Sequence, residues 1–446
     1  MAIALLCGCA PSPLDEHWIE SRPLGADLES YRPGRGAQAA AQDGDSFVEP
    51  TGELTLRDAL AAALVGNPEL AAVAWDVRVA EAQALQAGLW PNPELEIETE
   101  EFGRTGAHVF GDAEYAVRLS QPIITAGKIA KQRRVAELGR DIAGWDYETQ
   151  RLDVLTDVVL RFTDVLVAQR RLAVARDMHR LAQQVHDTVA AQVQAGAATP
   201  VQQTRAQVQR SAAAIEQQQA RRALDAARAQ LAATWGAQAV TFDQVRGDLT
   251  RIDAPPSLDA LAAALNDNPD LARWATQLEQ GRAAVELAEA QATPDVTVGA
   301  GVQHFGEANA TAAMLSLSVP LPIFDRHQGG ILEARYALGA LRQRQRAAEA
   351  KAHAALAGAW HRLQSAHEEL QTLDDQTLPA ATQAYDAVRR SFEQGKLTLL
   401  DVLDAQSTQF ELQQRHVDAL RDYHHAAAEI ERLVGRSLND INQDTP

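Results

Sequence analysis

Two aspartates, Asp401 and Asp404, stand three apart in TLLDVLDAQ, shortly after Gly395. On a helix that spacing sets both carboxylates on one face, one turn apart. Repeated around a symmetry axis, such a pair forms stacked rings of negative charge, the means by which charged pores select cations. The plainer reading is two solvated acids on an exposed helix. A second acidic set, Glu94, Glu96, Glu98 and Glu100, recurs at every second residue and so shares one face of a strand. The twelve histidines form no HExxH and no tight cluster with cysteine. His179 and His186, and the later His416, His424 and His425, read as scattered side chains on solvated helices. No glycine-rich phosphate loop follows a strand, and no nucleophile context is present. The chain reads as no enzyme, with no cofactor and no resident metal.

Both cysteines lie in the opening MAIALLCGCA, so neither a disulfide framework nor a zinc cluster can be built. An apolar run ending in Leu-x-Gly-Cys resembles the bacterial lipobox, in which Cys9 is acylated and becomes the mature N-terminus. Cleavage there removes Cys7. Ala10 follows, in place of the aspartate that favours inner-membrane retention. The run is shorter than a full export signal and lacks its basic segment, so the numbered start reads as late. Beyond it no stretch of about 18 apolar residues is present to form a transmembrane helix.

Lys+Arg number 41 against 60 Asp+Glu, a formal charge of −19, which argues against a nucleic-acid partner. Aromatic residues are 5% of the 446, thin for a single globular core, while alanine supplies most of the 46% apolar content. Such composition belongs to long packed helices.

The chain also contains itself twice. DALAAALVGNPELA at 58–71 recurs as DALAAALNDNPDLA at 259–272, identical at 11 of 14 positions. Similar offsets pair PELEIE with PDVTVG, LSQPI with LSVPL, and the segment around Gly196 with that around Gly395. Four blocks in one order at nearly constant spacing mark a tandem duplication. The boundaries read as residues 1–9 for the shortened signal, 10–50 for an extended linker, 51–250 and 251–436 for the repeats, and 437–446 for a tail. Each repeat opens with a helix, at about 54–88 and 257–291, interrupted by an Asn-Pro step. Two short strands follow, then a very long helix, a glycine break and a second long helix. Residues 127–193 lack proline, and Leu152, Leu155, Val159, Phe162 and Leu166 recur at coiled-coil spacing. A helix of that length measures roughly 100 Å and cannot fold back into a compact domain.

The strands alternate strictly. Leu95, Ile97 and Thr99 oppose the four glutamates; Tyr115, Val117 and Leu119 oppose Ala116, Arg118 and Ser120. Val296, Val298, Ala300 and Val302, then Leu315, Leu317 and Val319, repeat the pattern in the second half. Four segments of about 9–11 residues with one uncharged face suit tilted strands crossing a bilayer. The alternative is a pair of solvent-facing hairpins. Four strands cannot close a membrane barrel, whose lower limit is about eight, so closure needs cyclic copies of the chain. Eight strands leave a filled interior, whereas a trimer of twelve leaves a passage. A threefold axis would then make Asp401 and Asp404 two stacked acidic rings.

The duplicated plan, LSQPI, LSVPLPIFDRHQGGILEA and TLLDVLDAQ resemble the TolC-type outer membrane factor family over about residues 50–436. LPIFDRHQGG and the lipobox are most similar to its heavy-metal-efflux branch. The resemblance implies a mainly α fold with a small β part: a homotrimeric α-helical barrel continuous with a twelve-stranded barrel in outer membrane lipid of a Gram-negative bacterium. It implies a passive exit duct, lipid-anchored and projecting into the periplasm, served by a periplasmic adaptor protein and an inner-membrane RND transporter. It also implies that Asp401 and Asp404 line the periplasmic mouth and that the tips at Gly196 and Gly395 meet the adaptor. In such a barrel Glu94, Glu96, Glu98 and Glu100 would face the lumen and give a cation-friendly exit; the alternative is the simple solubility of an acidic protein. The repeat aligns Gln202 with Asp401 and Arg205 with Asp404, so the first half lacks the acid pair. Some members latch the mouth with a tyrosine and an arginine at positions matching Phe392 and Leu397, which have neither hydroxyl nor charge. Heavy-metal cations are the expected cargo, drugs or small organic compounds the next. A lipid-anchored scaffold without a pore is the competing reading.

Overall fold

The computed structural model describes residues 19–33, 48–100, 113–265, 268–306 and 308–444. The first repeat opens with strand β1 (Gly52–Thr55) running into helix α1 (Leu56–Gly66). Thr55 caps α1 by accepting from the Asp58 N–H while the Asp58 carboxylate accepts the Thr55 N–H, which satisfies two otherwise orphaned donors. The Asn-Pro step ends this helix, and α2 (Pro68–Ala87) starts on the proline, whose missing N–H costs nothing there. Strands β2 (Glu94–Glu100) and β3 (Glu114–Ile123) follow, then α3 (Lys128–Gln194), α4 (Pro200–Ala233) and strand β4 (Phe242–Arg246).

The second repeat gives α5 (Leu258–Ala264), α6 (Pro269–Gln291), β5 (Val296–Phe305) and β6 (Ala310–Ser318). Its long helix is not continuous. α7 (Gln328–Thr372) passes through a π-helical turn (Leu373–Thr377) into α8 (Leu378–Glu393). Pro379 explains the turn: it has no N–H to give, and its ring conflicts with the preceding turn of a regular helix. The Thr377 hydroxyl donates to the Thr372 carbonyl at 3.1 Å across this step. α9 (Leu399–Val434) returns, and α10 (Leu438–Asp444) closes the chain.

Two compact units result, and they do not follow the repeats. The first gathers residues 76–145 and 272–348 with Ile19; the second gathers 20–75, 146–271 and 349–446. The first unit holds an antiparallel sheet of order β2-β3-β5-β6, so the hairpins of both repeats join through β3 and β5. At its base Asp295 accepts from the Thr125 N–H and from Lys128, each at 2.8 Å.

In the second unit β1 and β4 pair in parallel, an element that the sequence expectations did not contain. Its helices share one core of Leu261, Leu356, Leu363, Leu370, Leu420 and Ile430, and another near the hairpin tips. The expected linker is docked where it is described. The Arg22 N–H meets Glu148 Oε1 at 2.6 Å, the Tyr31 N–H meets the Leu64 carbonyl at 2.8 Å, and the Tyr147 hydroxyl reaches the Tyr31 carbonyl at 2.8 Å. These bonds hold a proline- and glycine-rich segment that has no periodicity of its own.

Candidate functional site

The sheet register lines up the alternation of all four strands. Leu95, Leu119, Ala300 and Leu315 form one cross-strand row; Ile97, Val117, Val302 and Ala313 form the next. These apolar side chains are uncovered: Leu95 is 65% exposed, Ile97 70%, Leu317 70% and Leu315 89%. A contiguous apolar face of this kind calls for a cover, and a bilayer supplies one along a strand face.

The opposite face carries Glu94, Glu96, Glu98 and Glu100, all exposed. It is not purely acidic. Arg118 lies across from Glu96 and pairs with it at 3.1 Å, and Gln303 donates to Glu114 at 2.8 Å. The β5 stretch facing Arg118 and Ser120 is glycine, because a Cβ on Gly301 would sit 2.5 Å from the Val117 carbonyl oxygen.

The two helical tips are built alike. Gly196 and Gly395 each adopt φ +73°, a left-handed turn that other residues reach only with strain. Each closes the preceding helix with the same pair of bonds. Gly196 N–H reaches Val193 and Ala197 N–H reaches Gln192; Gly395 N–H reaches Phe392 and Lys396 N–H reaches Ser391. Three residues later Thr199 and Thr398 cap α4 and α9, each in a reciprocal box with Gln202 or Asp401. The Thr398 hydroxyl and N–H donate to Asp401 Oδ2 at 2.6 and 2.8 Å. Those donors, the hydroxyl first, hold the Asp401 carboxyl below the usual carboxylate range. The cap is absent from the expectations above, although Thr-x-x-Asp and Thr-x-x-Gln carry it.

Asp404 is exposed one turn further along α9. Asp401 is exposed too, but its carboxylate is committed to the helix start. Phe392 is buried with Tyr385, Leu399 and Val402 in the tip core, while Leu397 stays partly exposed beside the turn. The later histidines are individually engaged: His416 pairs with Asp374 at 2.9 Å, His425 with Asp164 at 3.2 Å, and His424 meets the Leu249 carbonyl at 2.8 Å. Cys9 lies outside the described residues. Among those residues no helix is long and apolar enough to cross a membrane.

Residues 59–237 and 260–436 both match the family described as outer membrane efflux protein. The chain belongs to that family. The cobalt-zinc-cadmium resistance protein CzcC of Cupriavidus metallidurans is 31% identical to this efflux protein over 419 residues, 93% of this chain and 99% of its own. The nickel-cobalt-cadmium resistance protein NccC of Alcaligenes xylosoxydans is 24% identical over 264 residues, covering 59% and 60%. Among solved structures, the transmembrane channel CusC superposes with a TM-score of 0.74 at 16% identity, over 92% of this chain and 99% of its own. The Campylobacter jejuni outer membrane channel CmeC gives 0.73 at 15% identity over 85% of each chain. These likenesses establish the TolC-like fold for the efflux protein, and the family is one of outer membrane efflux channels, not enzymes. The uncovered apolar rows of the sheet are the surface an outer membrane channel needs.

Proposed function

We propose that this efflux protein is the outer-membrane exit duct of a tripartite, RND-type pump that exports heavy-metal cations. The observation that carries the reading is the 31% identity to a cobalt-zinc-cadmium resistance protein along nearly the full length of both chains. Three copies close the sheet: β2 and β6 are its free edges, and cyclic pairing between copies removes them. Twelve strands then enclose a passage, with Glu94, Glu96, Glu98 and Glu100 toward the lumen and the leucine rows toward lipid.

The tips at Gly196 and Gly395 receive the periplasmic adaptor, which links the duct to the inner-membrane transporter. Asp401 and Asp404 line the mouth, and acylation of Cys9 anchors the chain. The duct itself is passive, and the transporter supplies the energy.

Deletion of the gene tests the cargo. Growth is then measured against zinc, cobalt, cadmium, copper and silver beside a panel of hydrophobic drugs. Selective sensitivity to metals is expected. Sensitivity to drugs alone would retain the duct and overturn the cargo.

A further inference from the structure

Charge is segregated along α7. Residues 334–348 carry Arg335, Arg342, Arg344 and Arg346 and no acid, within a chain whose formal charge is −19. The same distance into α3, residues 134–148 carry Arg134 and Arg140 against Glu137, Asp141, Asp146 and Glu148. Arg335 pairs with Glu289 of α6 at 2.8 Å. Arg342, Arg344 and Arg346 are exposed, and among the described residues none of them makes an ion pair or a hydrogen bond.

The helical layer of the first unit decides which way these charges point. α7 packs on α6 by one row, since a Cβ on Gly281 of α6 would sit 3.0 Å from Leu341 and 3.1 Å from Leu338. α6 in turn lies against α3, where Trp145 reaches Thr276 at 3.1 Å and Gln280 reaches the Val135 carbonyl at 3.2 Å. With a neighbour on each side, α6 keeps one exposed row over residues 276–290, namely Glu279, Arg282, Glu286 and Glu289. Its opposite side, Gln277, Ala284 and Ala288, is half-buried or buried. One side of the layer is thus open and the other crowded, as the convex and concave sides of a curved layer are. The exposed row therefore faces outward. Arg335 joins it through Glu289, and Arg342 and Arg346, seven and eleven residues on, return to the side of Arg335. Arg344 and the exposed Lys351, seven apart, fall on the other flank.

We infer that the outward row of Arg335, Arg342 and Arg346 is a docking surface for an acidic polymer of the periplasm, one that presents carboxylates at intervals as the peptide stems of the cell wall do. The inference rests on the duct reading, which makes α7 part of a rod that must pass through that wall. Guanidinium groups suit carboxylates because they stay charged and present paired donors. Depth argues against lipid headgroups as the occupant. Arg342 and Arg346 stand 14 and 18 residues beyond the start of α7, about 21 and 27 Å along the helix. Those depths exceed two Debye lengths at physiological salt, where one is about 8 Å. Each exposed contact is weak alone. Three copies present three such rows to one polymer, and linked contacts gain by avidity.

Co-sedimentation of the detergent-solubilised full-length protein with purified peptidoglycan sacculi tests this. The parent should pellet with the sacculi and be released by salt. Arg342→Gln with Arg346→Gln should lower the bound fraction about fivefold, the effect of losing two exposed charge contacts. Arg344→Gln with Lys351→Gln removes the same charge from the other flank and should stay within about twofold of the parent. Equal loss in the two double variants, or no loss in the first, would overturn the docking surface. So would a parent that pellets with phosphatidylglycerol vesicles and not with sacculi. Conductance in planar bilayers is read on the same preparation. A conducting parent that ignores sacculi overturns this inference alone, and one that conducts nothing overturns the duct with it.

Discussion

Asn268 donates through Nδ2 to the Leu433 carbonyl at 2.6 Å while its Oδ1 accepts the Asp270 N–H at 2.7 Å. One buried side chain thus starts α6 and ties it to the end of α9. Asn67 does the same in the first repeat, accepting from the Leu70 N–H at 2.8 Å and donating to the Thr234 carbonyl at 2.7 Å. The Asn-Pro step is therefore a clasp between the first and last helices of each repeat. Asn268→Ala removes a cap and strands a carbonyl, so it should cost about 3 kcal/mol, measured by thermal melting in detergent. Asn67 is less buried, and its alanine variant should cost less.

The Thr398–Asp401 box predicts a local effect at the second tip. Thr398→Ala should weaken the start of α9 by about 1 kcal/mol and speed tryptic cleavage after Lys396. The pH dependence has a definite sign. Asp401 is held low in the folded tip, so its contribution is present above the unfolded carboxylate pKa and lost as pH falls through the folded value. Hydrogen exchange at the tip should show that acid-side loss in the parent and little of it in Thr398→Ala.

Burial of the Glu148–Arg151 pair decides how the N-terminal segment is held. The two side chains are almost wholly buried and meet through 2.7 and 2.8 Å bonds, and Arg151 also donates to the Arg22 carbonyl at 3.1 Å. Arg151→Ala leaves an uncompensated buried carboxylate, for which about 3–5 kcal/mol is the expected loss. Proteolysis within residues 20–33 should accelerate in parallel. Equal protection in the variant and the parent would show that this strap is held elsewhere.

His424 makes the second unit sensitive to mild acid. Burial pushes its imidazole pKa down, and the neighbouring His425 pushes the same way, against the pull of the Leu249 carbonyl. A depressed folded pKa means that stability is full above the unfolded value near 6.5 and falls as pH drops through the folded one. Melting temperature should decline below about pH 6.5. In His424→Gln, which stays neutral, that part of the decline should vanish.

Gly301 tests the sheet. A methyl group there meets the Val117 carbonyl oxygen and the Arg118 backbone, neither of which can rotate away. Gly301→Val should therefore disturb the β3–β5 ladder that joins the two hairpins, lowering the yield of heat-modifiable oligomer on gels. Ala300→Val lies on the open apolar face and serves as the tolerated control.

Most of the architecture is carried by local pattern. The strand faces follow from period-two alternation, the long helices from coiled-coil spacing without proline, and the tandem repeat from plain identity between segments 201 residues apart. Periodicity needs only near neighbours in the chain, and a repeat needs only two like segments wherever they lie, so both are legible before folding. The π-helical turn and the tip caps were not among those readings, although Pro379 and the threonines three residues ahead of Gln202 and Asp401 carry them. The pairing of β1 with β4 was not legible, because a parallel partner some 190 residues away leaves no periodic trace. Nor was the docking of residues 20–33, whose hold depends on Glu148 and Arg151 being brought beneath them. Sequence alone supplied the acids of the tip and the sheet. Tertiary structure decided their condition: Asp401 bound to its cap, Glu96 paired with Arg118, Asp404 left open, since charge pairing depends on distances that only the folded chain sets.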